Sequence, residues 1–133
     1  MSIFDIAGTG LFAERIRMDL ISHNLANMNT TRDKFGNINP YRRKEVIFRE
    51  LISSDNKLNG VMVEKIVDDM SEFRKVYNPE HPDSNKDGYV LLPNINPIVE
   101  MGNFINSSRT YQFHLTMIEN AKTMYINTLR LLG

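Results

Sequence analysis

The sequence predicts an α+β fold in which long amino- and carboxy-terminal helices with coiled-coil periodicity pack together, with a small β-rich domain between them. Three observations predict it. Apolar residues recur at spacings of three and four at both ends, a Pro- and Gly-punctuated middle separates these stripes, and charge follows the same division. Residues 1–49 carry net +3, residues 50–100 net −5 and residues 101–133 net +2, so ends and middle have complementary charge for docking copies or homologues.

The first stripe is Phe4, Ala7, Leu11, Glu14, Met18, Ile21, Leu25 and Met28, broken only by Glu14. Ser2 and Asp5 have capping-box spacing, so a helix is expected over about residues 3–27. It should dissolve in the Asn- and Thr-rich run from His23 to Thr31, whose side chains compete for backbone hydrogen bonds. Residues 32–39 read as loop. Tyr41–Ile52 alternates as a strand, with Val46 and Phe48 on one face and Ile47 and Arg49 on the other. Asn59-Gly60 reads as a turn before a second strand bearing Val61, Val63 and Val67. Phe73, Val76 and Tyr77 suggest a third strand and Tyr89–Leu92 a fourth. Asn96-Pro97 is a helix start, with Asn as cap and Pro at the first helical position. The closing helix carries the second stripe: Met101, Phe104, Ser108, Tyr111, Leu115, Ile118, Lys122, Tyr125, Leu129 and Leu132. The expected division is residues 1–30 as amino-terminal helix, 31–97 as β-rich middle and 98–133 as carboxy-terminal helix. Regular apolar patterns at chain ends, which usually fray, point to contacts with other chains. The residues expected to pack subunits are therefore Phe4, Leu11, Met18, Ile21, Leu25, Met101, Phe104, Tyr111, Leu115, Ile118, Tyr125, Leu129 and Leu132.

At 133 residues with 41% hydrophobic content the chain is one small domain with helical extensions, too short for a large enzyme core. Sixteen basic residues balance sixteen acidic ones, giving no reason to invoke nucleic acid. There is no cysteine, hence neither a disulfide framework nor a thiol nucleophile. The first five residues lack a basic segment followed by an apolar run, so no cleaved secretory signal is expected.

Candidate chemistry is sparse. Asp83-Ser84-Asn85-Lys86-Asp87-Gly88 resembles half of a calcium loop, but its twelfth position is Asn94 rather than Glu, and a tight turn into Tyr89 is the reading kept. His23, His81 and His114 lack metal-ligand spacing, and His23 and His114 are expected to face solvent from helices. No nucleophile elbow is present, so no catalytic residue, cofactor or small-molecule substrate is expected. Arg42-Arg43-Lys44 offers a phosphate contact, against which a solvated or aggregation-blocking strand edge is preferred. Two other classes stay open on the residues alone: a soluble helical-hairpin adaptor, whose stripes satisfy each other, and a calcium-regulated module.

Ile3-Phe4-Asp5-Ile6-Ala7-Gly8, followed by His23-Asn24-Leu25-Ala26-Asn27-Met28-Asn29-Thr30, closely resembles the amino-terminal signature of bacterial flagellar axial proteins. The likeness continues through Pro40-Tyr41-Arg42-Arg43-Lys44, Val76-Tyr77-Asn78-Pro79, Gly88-Tyr89-Val90 with Pro93-Asn94, and Glu100-Met101 with Ser108-Arg109-Thr110-Tyr111. Separated motifs in one order over nearly the whole chain resemble the short proximal-rod members of that family; residues 32–39 and 55–60 match weakly. The resemblance implies a structural subunit of the flagellar basal body, exported through the flagellar type III apparatus and built into the periplasmic drive shaft. It also implies partners: copies of itself, other rod proteins, and basal-body ring and export-gate components. In that family the terminal helices form the inner tube and the middle an outer layer.

Overall fold

The computed structural model describes residues 2–133. Its elements in chain order are α1 (Ile3–Ala26), β1 (Lys44–Ile52), β2 (Leu58–Asp68), β3 (Arg74–Tyr77), β4 (Tyr89–Leu92) and α2 (Pro97–Leu132). Both helices therefore form where expected, as do β3 and β4. No described helix is long and apolar enough to cross a membrane.

Local chemistry sets the helix starts. The backbone N–H of Asp5 donates to Ser2 Oγ at 3.3 Å while the Ser2 N–H donates to Asp5 Oδ2 at 3.2 Å, a reciprocal capping box. Asn96 Oδ1 accepts the N–H of Ile98 at 3.0 Å, and Pro97 takes the first helical position, which has no donor to lose.

The strands form two separate two-stranded sheets, β1–β2 and β3–β4, rather than one β unit. Two strand boundaries also depart from expectation. β1 starts at Lys44, not Tyr41, because Tyr41–Arg43 spend their hydrogen bonds on other segments: the Tyr41 N–H on Thr30, the Arg43 N–H on Asn94, and the Arg43 carbonyl on the Asp69 N–H. The turn into β2 falls at Ser53–Lys57, with Asn56 at φ 59°, and Asn59-Gly60 lies inside the strand. Gly60 serves close approach instead. It sits at φ 122°, and a Cβ there would stand 2.3 Å from Thr9 Oγ1, the atom that accepts the Val61 N–H at 3.1 Å.

Two compact units divide the chain. The first comprises residues 1–18, 46–65 and 105–133, and the second residues 19–45 and 66–104. Within the first unit the buried residues include Ala7, Ala13, Glu14 and Ser107. Within the second they include Ile21, Asn24, Val90, Pro93, Ile95 and Glu100. β3 and β4 pair antiparallel with Tyr77 opposite Tyr89, their rings edge to face at 5.3 Å. The turn before β4 is an Asx arrangement in which Asn85 Oδ1 accepts the N–H groups of Asp87 and Tyr89, each at 2.9 Å. It is the tight turn the sequence suggested.

Candidate assembly interface

Two kinds of site residue emerge: polar groups that lock the second unit internally, and apolar groups that the chain leaves uncovered. The Asn-rich signature supplies the first. Asn24, 1% exposed, donates from Nδ2 to the Lys44 carbonyl at 2.9 Å and accepts the Lys44 N–H on Oδ1 at 3.1 Å. A helix side chain thereby satisfies β1 as a neighbouring strand would. Tyr41 donates its hydroxyl to the same Oδ1 at 2.8 Å, and burial, followed by the charges of Asp68 and Glu100, raises its pKa so that the hydroxyl stays protonated. Asn27 Nδ2 donates to the His23 carbonyl at 2.9 Å, and Thr30 Oγ1 donates to Asn27 Oδ1, so both close the end of α1. Ala26 and Asn29 are exposed at that end, and Leu25 is half-buried.

Arg43 is the centre of the lock. Its Nε donates to Glu100 Oε1 and its Nη1 to Glu45 Oε1, with Asp69 Oδ2 at 3.3 Å. Burial alone would depress the guanidinium's pKa; the hydrogen bonds it donates to Glu100 and Glu45 outweigh that, and the net shift is upward. Asn94 threads the same region, accepting the Arg43 N–H at 2.8 Å and donating to the Asp69 carbonyl at 2.9 Å. Arg42 donates to the carbonyls of Asp69 and Ser71 and lies 4.2 Å from the Phe73 ring, while Lys44 pairs with Asp68 at 2.7 Å. The expectation of a solvated basic edge is thus corrected: Asp69, Glu45 and Glu100 pair with Arg43 and Asp68 pairs with Lys44. Arg74 bridges the Pro93 and Met28 carbonyls, a link no sequence pattern marked. Asp83 accepts from Thr31 at 2.5 Å and pairs with Arg32, and these hydrogen bonds, Thr31's first, hold its carboxyl below the ordinary value. A backbone hydrogen bond from Ser71 does the same for Asp69.

Two helix expectations also change. Glu14 does not interrupt the first stripe but is 6% exposed and accepts from Ser107 Oγ. His114 does not face solvent: its ring lies where a Gly10 Cβ would stand 2.7 Å away, and its Nδ1 is buried without a partner. A glycine at position 10 makes room for that ring. The inward residues of α2 mix polar and small groups (Glu100, Asn103, Ser107, His114, Ala121) with apolar ones (Tyr111, Leu115, Met117, Ile118). Met101 and Phe104 of the expected stripe, with Arg109, lie on the exposed side instead.

Of the residues expected to pack subunits, Ile21 is buried and Leu11, Met18, Leu25, Tyr111, Leu115 and Ile118 are half-buried. Phe4, Met101, Phe104, Tyr125, Leu129 and Leu132 are exposed. Among signature residues, Gly88 and Val90 are buried within the second unit while Tyr89 is exposed. From Lys122 onward every residue of α2 is exposed, including Leu131 at 88% and Leu132 at 81%. Large contiguous exposed apolar surface is uncommon on monomeric proteins.

Comparison with known proteins identifies the family. Residues 4–32 match the model of the flagella basal body rod protein family, and residues 86–131 match the model of the flagellar basal body rod FlgEFG protein C-terminal region. The chain is 39% identical over 129 residues to the flagellar basal-body rod protein FlgC of Buchnera aphidicola from Acyrthosiphon pisum, covering 97% of this chain and 95% of that protein. It is 39% identical over 141 residues to FlgC of Bacillus subtilis, covering 96% and 94% respectively. The chain belongs to the FlgC family of flagellar basal-body rod proteins. FlgC of Borreliella burgdorferi is similar over the same extent, 38% identical across 98% of this chain and 96% of that one. The family role is structural rather than enzymatic.

Proposed function

We propose that the chain is a subunit of the proximal part of the rod, polymerising through its terminal helices to form the shaft that transmits torque. Residues 1–30 and 98–133 act as axial helices with coiled-coil contacts between subunits, and residues 31–97 form an outer layer touching neighbours. The protein is exported by the flagellar type III apparatus, works in the periplasm, and meets copies of itself, other rod proteins, and ring and export-gate components. The observation that carries this reading is the run of uncovered apolar residues along α2, Met101, Phe104, Tyr125, Leu129 and Leu132, in a member of a rod family. Interdigitated apolar side chains pack at crystal-like density and resist shear, which is what a drive shaft requires.

Complementation of a flagellated bacterium lacking its own FlgC tests the reading. Wild type is expected to restore motility. Leu25→Asp and Leu115→Asp are expected to abolish it while circular dichroism of the purified chain keeps its strand signal. Normal swimming with either variant would overturn terminal-helix packing.

A further inference from the structure

Within the first unit, two observations on α1 and α2 fit together across copies. The contacts Glu14–Ser107 and Gly10–His114 set the helices antiparallel, and on that register Ile3 is level with the stretch Ile118–Ala121. Burial agrees, since Ala121 is the last residue of α2 that is not exposed. The eleven residues Lys122–Leu132 therefore run past the start of α1 for about 16 Å at 1.5 Å per residue. They carry Tyr125, Leu129 and Leu132 along one stripe, each of them exposed.

The other observation is an open cleft of about 640 Å³ in the same unit, walled by Phe4, Gly8 and Phe12 of α1 on one side and Leu51, Val61 and Val63 of the β1–β2 sheet on the other. Phe4, Gly8 and Phe12 are four residues apart and share one helix face, which gives the cleft a length of about 12 Å along α1. Phe12 stands at its rim, 66% exposed. Asp5 is the only charged lining residue, whereas after Glu119 the chain carries only the bases Lys122 and Arg130.

We propose that the overhanging end of α2 in one copy seats in this cleft of a second copy. This deepens the rod-subunit reading and rests on it. The stripe from Tyr125 to Leu132, about 10 Å long, fits within the cleft of about 12 Å, apolar side chains meet apolar walls, and the bases of the tail meet Asp5. The tail's own cleft is out of reach, because the tail runs past α1's first residue and the cleft lies alongside the residues that follow. Donor and acceptor patches at different places on one chain make a heterologous contact, which propagates instead of closing on itself as a two-fold dimer does.

The chain lacks cysteine, so thiols report the contact directly. One full-length copy carries Phe12→Cys and another Leu129→Cys, both at exposed positions, and the two are co-expressed in the complemented strain and mildly oxidised. The expected result is a disulfide between the two copies, on the order of tenfold more abundant than for Phe35→Cys with Leu129→Cys, since a specific contact raises local thiol concentration. Three results overturn the docking: no excess over that control, a Leu129–Leu129 homodimer in its place, meaning tails pair with tails, or cross-linking of Leu129→Cys only to a different rod protein. Motility of the same strain separates the two levels: swimming without the cross-link removes the docking and leaves the rod reading standing, while loss of both removes both.

Discussion

The second unit and the exposed end of α2 solve opposite problems. In the second unit Asn24, Arg43, Asn94 and Glu100 tie one another's segments together through hydrogen bonds, with Glu100 Oε2 the buried oxygen among them that has no partner. At the end of α2, Met124, Tyr125, Leu129, Leu131 and Leu132 are exposed, Leu131 and Leu132 almost fully. The comparison teaches where to look for self-sufficiency and where for assembly. Buried polar groups must be satisfied within the chain or destabilise it, so their network marks where contacts within the chain carry the stability. Apolar surface tolerates exposure in the monomer and is the part that gains free energy when a neighbour arrives.

The largest expected effect breaks the comparison at the exposed end. Leu129→Asp should abolish motility in the complemented strain while shifting the unfolding free energy of the purified chain by no more than about 0.5 kcal/mol, because the residue is already in water. A comparable loss of stability would mean that the tail is part of the folded core. Next is the lock. Glu100→Ala leaves Arg43 partly buried and short of a partner, and a loss of about 3 kcal/mol is expected in denaturant titration. The double variant Arg43→Met with Glu100→Leu should recover much of that loss, since a matched apolar pair removes the desolvation penalty together with the attraction. Asn24→Ala comes third: it orphans the Lys44 N–H and carbonyl, for about 2 kcal/mol.

Acidification sharpens the comparison with the smallest effect. Asp69 and Asp83 both have carboxyls held below the ordinary value in the folded chain, so the unfolded chain takes up their protons first as pH falls. Their contribution is complete above the unfolded value near pH 3.9 and is lost as pH drops through the lower folded values. Thermal melts between pH 5 and pH 2, with Asp83→Asn as comparison, should show a shallower decline in the variant.

Much of the fold was legible because its signals are local. The capping box at Ser2, the Asn96-Pro97 start and the Asx turn at Asn85 each involve groups a few residues apart, and each forms as read. The misreadings share one cause. Asn59-Gly60 looked like a turn, but Gly60 answers to Thr9, 51 positions earlier. Arg42-Arg43-Lys44 looked solvated, but its counter-charges arrive from Asp68, Asp69 and Glu100. Glu14 looked like a flaw in a stripe and His114 like a surface residue, until Ser107 and Gly10 came beside them.

The sequence by itself therefore determined the helices, all four strand positions to within about three residues, and the family, since capping, periodicity and ordered motifs are properties of neighbouring residues. Only the tertiary structure decided which face of each helix turns inward. An apolar stripe states that a face wants burial without stating against what. α2 turns Glu100, Ser107 and His114 inward, where groups such as Arg43 and Glu14 from distant segments receive them, and leaves Met101, Phe104 and Leu129 outside.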